Sequence, residues 1–156
     1  KELRSRMALA ALKAGLAFSN TKTALAHSIS YEMTLQYGLA HGIACSFTLP
    51  LVLGLAWGRD AARDRTLQRI FGNDLDKAQD QLREFLHSLG VKTEFSDYGV
   101  TAEQAEQMIL CAMQGARGKN FIGSQAAWPL PTLDKYCQRH DEPRRLPAAL
   151  AKEGGR

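Results

Sequence analysis

The sequence is short of most features that mark a specialised class. Its 156 residues hold three cysteines, five prolines and four histidines. Cys45, Cys111 and Cys137 are odd in number, far apart and without a Cys-x-x-Cys pair. That pattern suggests neither a disulfide framework nor a cysteine-only zinc site, and it makes a reducing compartment, the cytoplasm, the default. Long apolar runs are also missing: the best stretch, residues 49–57, carries Pro50 and Gly54 and falls well short of the ~20 residues a bilayer-spanning helix needs. Charge of one sign is not concentrated anywhere. The net charge is +4, but lysines and arginines alternate with acids along the chain, so no basic stripe for nucleic acid is present. Strand-like alternation of useful length does not occur either. Lys1, Arg4 and Arg6 precede an Ala/Leu-rich segment in the manner of a secretory leader. Glu2 among the basic residues and Lys13 inside the apolar run argue against that reading, and the chain is expected to start inside a helix of a longer protein.

What the sequence does contain is helical periodicity. With 45% apolar and 23% charged residues it has the composition of a globular domain. Leu3, Met7, Ala10, Ala11, Ala14 and Phe18 fall in steps of three and four, which predicts a helix with one buried face. Asn20 or Thr21 is expected to cap a second helix over residues 22–36, rich in small residues such as Ala24, Ala26, Ser28 and Ser30. Residues 43–57 have so few polar positions that they predict one core helix buried nearly all round. A charged helix over 59–71 stops at Gly72-Asn73. A clearly amphipathic one follows Asn73 or Asp74, with Leu75, Ala78, Leu82, Phe85, Leu86 and Leu89 as its stripe and Gly90 as its stop. Thr101 and Gln104 form a capping box for a last helix to about Gln114. The fold class is all-α, a bundle of about six helices over residues 1–123, followed by a Pro-rich, polar and irregular tail over 124–156.

Two of the four histidines lie where the pattern breaks. His27 and His41 are fourteen residues apart, and on one unbroken helix that separation would hold the rings about 21 Å apart. Gly38 prevents this: a turn over 37–40 folds both imidazoles back toward one point. Two neutral imidazoles suit Fe(II), Zn(II) or similar ions. The spacing alone equally fits two hydrogen-bonded core histidines. Tyr31, one turn after His27, is a candidate donor beside anything that histidine binds, or an ordinary packed aromatic. His87 lies off the leucine stripe and reads as solvated, and His140 with Cys137 makes a half-pair without a second half. Residues 115–119, Gly-Ala-Arg-Gly-Lys, lack the span and the preceding strand of a phosphate loop. They read as a helix end whose cations meet the terminal carbonyls.

The words of the sequence say more. Ala14-Gly-Leu-Ala-Phe-Ser-Asn-Thr-Lys-Thr-Ala-Leu-Ala-His27-Ser-Ile-Ser-Tyr31, followed by Tyr37-Gly-Leu-Ala-His41-Gly-Ile-Ala-Cys-Ser-Phe-Thr-Leu-Pro50, resembles the C-terminal helical domain of the iron-containing alcohol dehydrogenases. The resemblance extends over residues 1–123, with Asn120-Phe-Ile-Gly123 at its end. It implies a metal-dependent alcohol dehydrogenase or aldehyde reductase using NAD or NADP, with His27 and His41 as the last two metal ligands. The Asp and the other His of the family's ligand set, and the dinucleotide-binding domain, would lie upstream of Lys1, so this stretch alone would be inactive. The ion would be Fe(II) or Zn(II), the partners a small alcohol or aldehyde and, in the full-length protein, a second copy as a homodimer. Neither nucleic acid nor a membrane is implied.

Tyr31, the candidate catalytic residue, stands where many members carry a further His, which puts the proton-relay role of that His in doubt. Tyr31 and Asn20-Thr-Lys-Thr23 look more like the phosphonoacetaldehyde reductase branch. Ala40 and Glu32 replace prolines common in the family, which should loosen the turn without removing the ligands. Two other readings stay open at this level: a zinc enzyme similar to glycerol dehydrogenase or dehydroquinate synthase, and a non-catalytic helical interaction module. Either way an exposed apolar patch is expected.

Overall fold

The computed structural model describes residues 1–125 and consists of helices joined by short turns. Seven α-helices run in order: α1 (Glu2–Ser19), α2 (Leu25–Tyr37), α3 (His41–Ser46), α4 (Leu49–Ala56), α5 (Ala61–Phe71), α6 (Leu75–Ser88) and α7 (Ala102–Gln114). Short 3-10 turns cover Phe95–Tyr98, Gly118–Asn120 and Ile122–Gln125. No strand occurs among the described residues, so the all-α expectation holds. None of the described helices is long and apolar enough to cross a membrane. The tail reading and the His140/Cys137 half-pair lie outside the described residues, apart from the first two tail positions.

There is one helix more than the periodicity predicts because residues 43–57 form two. Pro50 has no backbone N–H to give to a carbonyl one turn back, so α3 closes at Phe47 and α4 restarts after Thr48. The pair is not buried all round: Ala44, Phe47, Thr48, Pro50 and Leu53 face inward while Ile43 and Leu49 stay exposed.

The buried core gathers around α2 and α7. Leu25, Ile29 and Met33, one turn apart on α2, meet Ala105, Met108, Ile109 and Ala112 of α7. Phe47 fills the gap beneath them, edge-on to Phe95 at 5.0 Å and to Tyr98 at 5.2 Å between ring centres. Ser28 Oγ donates to the Ala112 carbonyl at 3.2 Å, so the small residues of α2 do allow a close approach. On the other side, α6 lies against α4, where Gln79 Nε2 donates to the Pro50 carbonyl at 2.8 Å across Gly54. A Cβ at Gly54 would sit 2.5 Å from that amide nitrogen, so a larger residue there would push the Gln79 side chain off the Pro50 carbonyl.

Two expectations fail at the first helix. Its apolar stripe is present, yet α1 has no buried residue: Leu3 is 75% and Met7 70% exposed. Periodicity reports which face is apolar, not what covers it, and no described element lies against this one. Asn20 and Thr21 do not cap α2 either. Asn20 Nδ2 donates to the Leu16 carbonyl and Thr21 Oγ1 to the Ala17 carbonyl, closing α1 from its C-terminal end, and α2 begins at an Ala24 cap without a side-chain bond. Two other caps match their sequence signals: Asp74 accepts from Lys77, and Thr101 and Gln104 bond reciprocally. Asp60, which the sequence reading did not single out, caps α5 by accepting from the Ala62 and Arg63 amides.

Candidate metal centre

The site is made at the junction of α2 and α3. α2 ends at Tyr37, and Gly38 adopts the left-handed conformation at φ 69°, ψ 17°, which lets the chain reverse within three residues and restart as α3 at His41. His27, in the first turn of α2, and His41, at the start of α3, meet edge to face with ring centres 5.0 Å apart. The turn over 37–40 therefore does what the sequence predicts, with Ala40 rather than proline as its last residue.

Tyr31, one turn beyond His27, places its hydroxyl 3.2 Å from His27 Nε2, with its ring 6.2 Å from that of His41. The Arg117 guanidinium lies over the Tyr31 ring, 4.9 Å from its centre. This corrects the reading of residues 115–119 as cations satisfying helix carbonyls: Arg117 turns back toward α2 and is exposed, forming no ion pair with any described residue. The segment reaches that position because Asn120 Nδ2 donates to the Thr23 carbonyl at 3.2 Å and because Gly118 packs flat on the end of α7. His87 is exposed as predicted, 3.1 Å from Thr93 Oγ1.

Sequence reasoning passed over one member of the cluster. Cys45 lies one turn after His41 on α3, with its sulfur 3.4 Å from His27 Nδ1 and 3.5 Å from His41 Nε2. The donor atoms of His27, His41 and Cys45 all lie within 4.8 Å of one another. The i, i+4 spacing in His41-Gly-Ile-Ala-Cys45 was the available signal, since it places both side chains on one helix face. Burial, then His41, then Arg117 hold the His27 imidazole below its ordinary 6.5, which keeps it neutral and able to donate a lone pair at neutral pH.

The donor set fits a borderline divalent ion. Imidazole nitrogens and a thiolate are ligands for zinc, iron or cobalt rather than for calcium or magnesium. A tetrahedron with metal–nitrogen bonds of 2.0–2.1 Å and metal–sulfur bonds of 2.3 Å has nitrogen–sulfur edges of about 3.6 Å, close to the two distances found. A groove of about 460 Å³ opens between α2 and the end of α7, and Tyr31 is among the residues that line it.

Comparison with known proteins gives the same direction. Residues 1–125 match the Fe-containing alcohol dehydrogenase family, C-terminal. Among relatives, a sulfoacetaldehyde reductase of Bilophila wadsworthia is 26% identical over 132 residues, covering 78% of this chain and 33% of its own. An NAD-dependent methanol dehydrogenase of Bacillus methanolicus is 28% identical over 114 residues, 67% of this chain and 30% of its own. A long-chain-alcohol dehydrogenase of Geobacillus thermodenitrificans is 25% identical over 143 residues, 86% and 35%. The chain thus spans about a third of the length of these relatives. No solved structure gives a significant match. With its helical fold and its match over residues 1–125, the chain belongs to the Fe-containing alcohol dehydrogenase family, of which it represents the C-terminal part.

Proposed function

We propose that this chain is the metal-holding part of an NAD(P)-dependent alcohol dehydrogenase or aldehyde reductase, with His27 and His41 as ligands to one Fe(II) or Zn(II) ion. The observation that carries the reading is the convergence of two histidines, fourteen residues apart in sequence, to 5.0 Å between ring centres across the Gly38 turn. When bound, the ion supplies Lewis acidity to the alcohol or carbonyl oxygen during hydride exchange with the nicotinamide. The chain's own part is orientation. Tyr31 holds the His27 ring through Nε2, leaving Nδ1 for the ion, in the way outer-shell hydrogen bonds fix a ligating imidazole. The nicotinamide is held mainly by an upstream nucleotide-binding domain. The names of the relatives, which include NAD-, NADP- and NADPH-dependent dehydrogenases, support that cofactor class.

The substrate we favour is a short aldehyde carrying an anionic head, phosphonoacetaldehyde or a close analogue. Arg117 supports this: it is an exposed guanidinium beside the histidine pair, without an ionic partner among the described residues. A guanidinium there suits a phosphonate or sulfonate, and the sulfoacetaldehyde reductase among the relatives acts on an aldehyde of that chemistry. The same reading places the complete protein in the cytoplasm as a homodimer, and the uncovered apolar residues of α1 supply surface for contacts between domains or copies.

Titration calorimetry with Fe(II) and Zn(II) tests the central point. One equivalent should bind, and His27→Ala and His41→Ala should each abolish binding or weaken it severely. Binding that is indifferent to both substitutions would show that the histidines are packing residues.

A further inference from the structure

Arg117 reaches the histidine pair from a turn that three contacts hold. Gly118 packs flat on the end of α7, and Phe121, just beyond the turn, is buried in the core. The third contact faces the other way: Asn120 Nδ2 donates to the Thr23 carbonyl at 3.2 Å, across 97 residues of sequence. Thr23 lies between α1 and α2, four residues before His27. The bond therefore joins the turn that carries Arg117 to the stretch that leads into the first turn of α2. Only a donor serves there, because a carbonyl accepts; a carboxylate of the same shape as the Asn120 amide would repel it.

The stack of Arg117 on Tyr31 does not fix this spacing by itself. A cation over an exposed ring is held weakly and over a range of distances up to about 6 Å, whereas a hydrogen bond tolerates only a narrow range of length and angle. With 4.9 Å from the guanidinium to the Tyr31 ring centre and 5.2 Å from there to the His27 ring centre, the cation stands at most about 10 Å from that imidazole. A small substrate can be gripped at both ends across such a span only if the span is constant.

We propose that Asn120 is a positioning residue for substrate recognition: through the Thr23 carbonyl it holds Arg117 at a set distance from the histidines, so that an aldehyde's anionic head and its oxygen are held together. The inference rests on the reading that Arg117 receives an anionic head. Asn120 itself touches no substrate and acts through the guanidinium alone.

Steady-state kinetics of the complete enzyme with phosphonoacetaldehyde and with acetaldehyde test this, using Asn120→Ala, Asn120→Asp, Arg117→Met and the double variant Asn120→Ala, Arg117→Met. Asn120→Ala should raise KM for phosphonoacetaldehyde by roughly threefold, the loss of one exposed hydrogen bond, with kcat and the acetaldehyde reaction unchanged. Asn120→Asp should raise it at least as much. In the Arg117→Met background Asn120→Ala should add nothing, since two residues that act as one unit are not additive. Independent, multiplying effects of the two substitutions overturn the proposal, and so does an equal loss on both aldehydes with a lowered unfolding midpoint, which marks a merely structural bond. An Arg117→Met effect confined to phosphonoacetaldehyde, with neither Asn120 variant showing one, overturns the role of Asn120 and leaves the anionic-head reading standing. Arg117→Met without any effect on phosphonoacetaldehyde overturns both. Either Asn120 variant decides the matter if the other fails to fold.

Discussion

His27 and His41 face each other edge to face, ring centres 5.0 Å apart, although one belongs to the first turn of α2 and the other opens α3. The relationship depends on a single backbone conformation, the left-handed Gly38 at φ 69°. An Ala at that position meets no steric neighbour, so any effect of the substitution comes from the backbone angle. Gly38→Ala should therefore cost about 1–2 kcal/mol of stability, the penalty for a left-handed residue with a Cβ. It should also weaken metal binding. Urea unfolding and calorimetry on the same samples check the two effects, and unchanged metal affinity would mean the turn does not set the ligand geometry.

Tyr31→Phe removes the hydroxyl 3.2 Å from His27 Nε2 but keeps the ring beneath Arg117. Loss of such an outer-shell partner lowers metal affinity by roughly 10–100-fold. The expected outcome is a drop of that order in Zn(II) affinity with little change in the unfolding midpoint. Equal affinity in the two proteins would reduce Tyr31 to a packed aromatic.

Arg117→Met should discriminate between substrates in the complete enzyme. KM for an aldehyde with a phosphonate or sulfonate head should rise by about tenfold, a charge-assisted hydrogen bond discounted for exposure, while kcat/KM for a neutral aldehyde stays the same. A uniform loss on both substrates would point to a positional role through Tyr31.

Gly118 is pinned against the end of α7, where a Cβ would overlap the Ala112 and Met113 carbonyl oxygens. Gly118→Ala should cost about 1–3 kcal/mol, as overpacking against fixed backbone does. It should also displace Arg117, raising KM for the anionic substrate in parallel with Arg117→Met. Denaturant unfolding and steady-state kinetics read the two effects separately.

Acid should weaken the α5 and α6 ends first. Hydrogen bonds from the Arg63 amide to Asp60 and from the Lys77 amide to Asp74 lead the causes that hold both carboxyls below their ordinary 3.8. Above that value both folded and unfolded states are ionised, and the caps contribute fully. As pH falls below it the unfolded chain takes up protons first, so stability declines and the contribution is lost once the folded carboxyls are themselves protonated. The difference in stability between the unaltered protein and a Asp60→Asn, Asp74→Asn variant should shrink between about pH 4 and lower values. Parallel curves from pH 7 to 3 would contradict this.

Most of the helices were legible in the sequence because their signals are local. The Thr101/Gln104 box, the Asp74 cap, and the stops at Gly72 and Gly90 each depend on residues within one turn. The errors fall where a choice between neighbours mattered. Asn20 and Thr21 can close one helix or open the next, and backbone carbonyls of α1 took them. Residues 43–57 looked like one helix because their apolar content outweighed the break that Pro50 imposes.

The family was legible in the sequence alone, because a stretch of ordered residue types survives without any folding argument, and the same stretch singled out His27 and His41 as a pair. So was the reversal between them, which Gly38 encodes in its own backbone freedom. Only the tertiary structure decided that Cys45 faces both imidazoles, that Arg117 stacks on Tyr31 from 86 residues further along, and that the apolar face of α1 is left uncovered by the described residues. These depend on how α2, α3 and α7 pack together, and no periodicity within one helix carries that information.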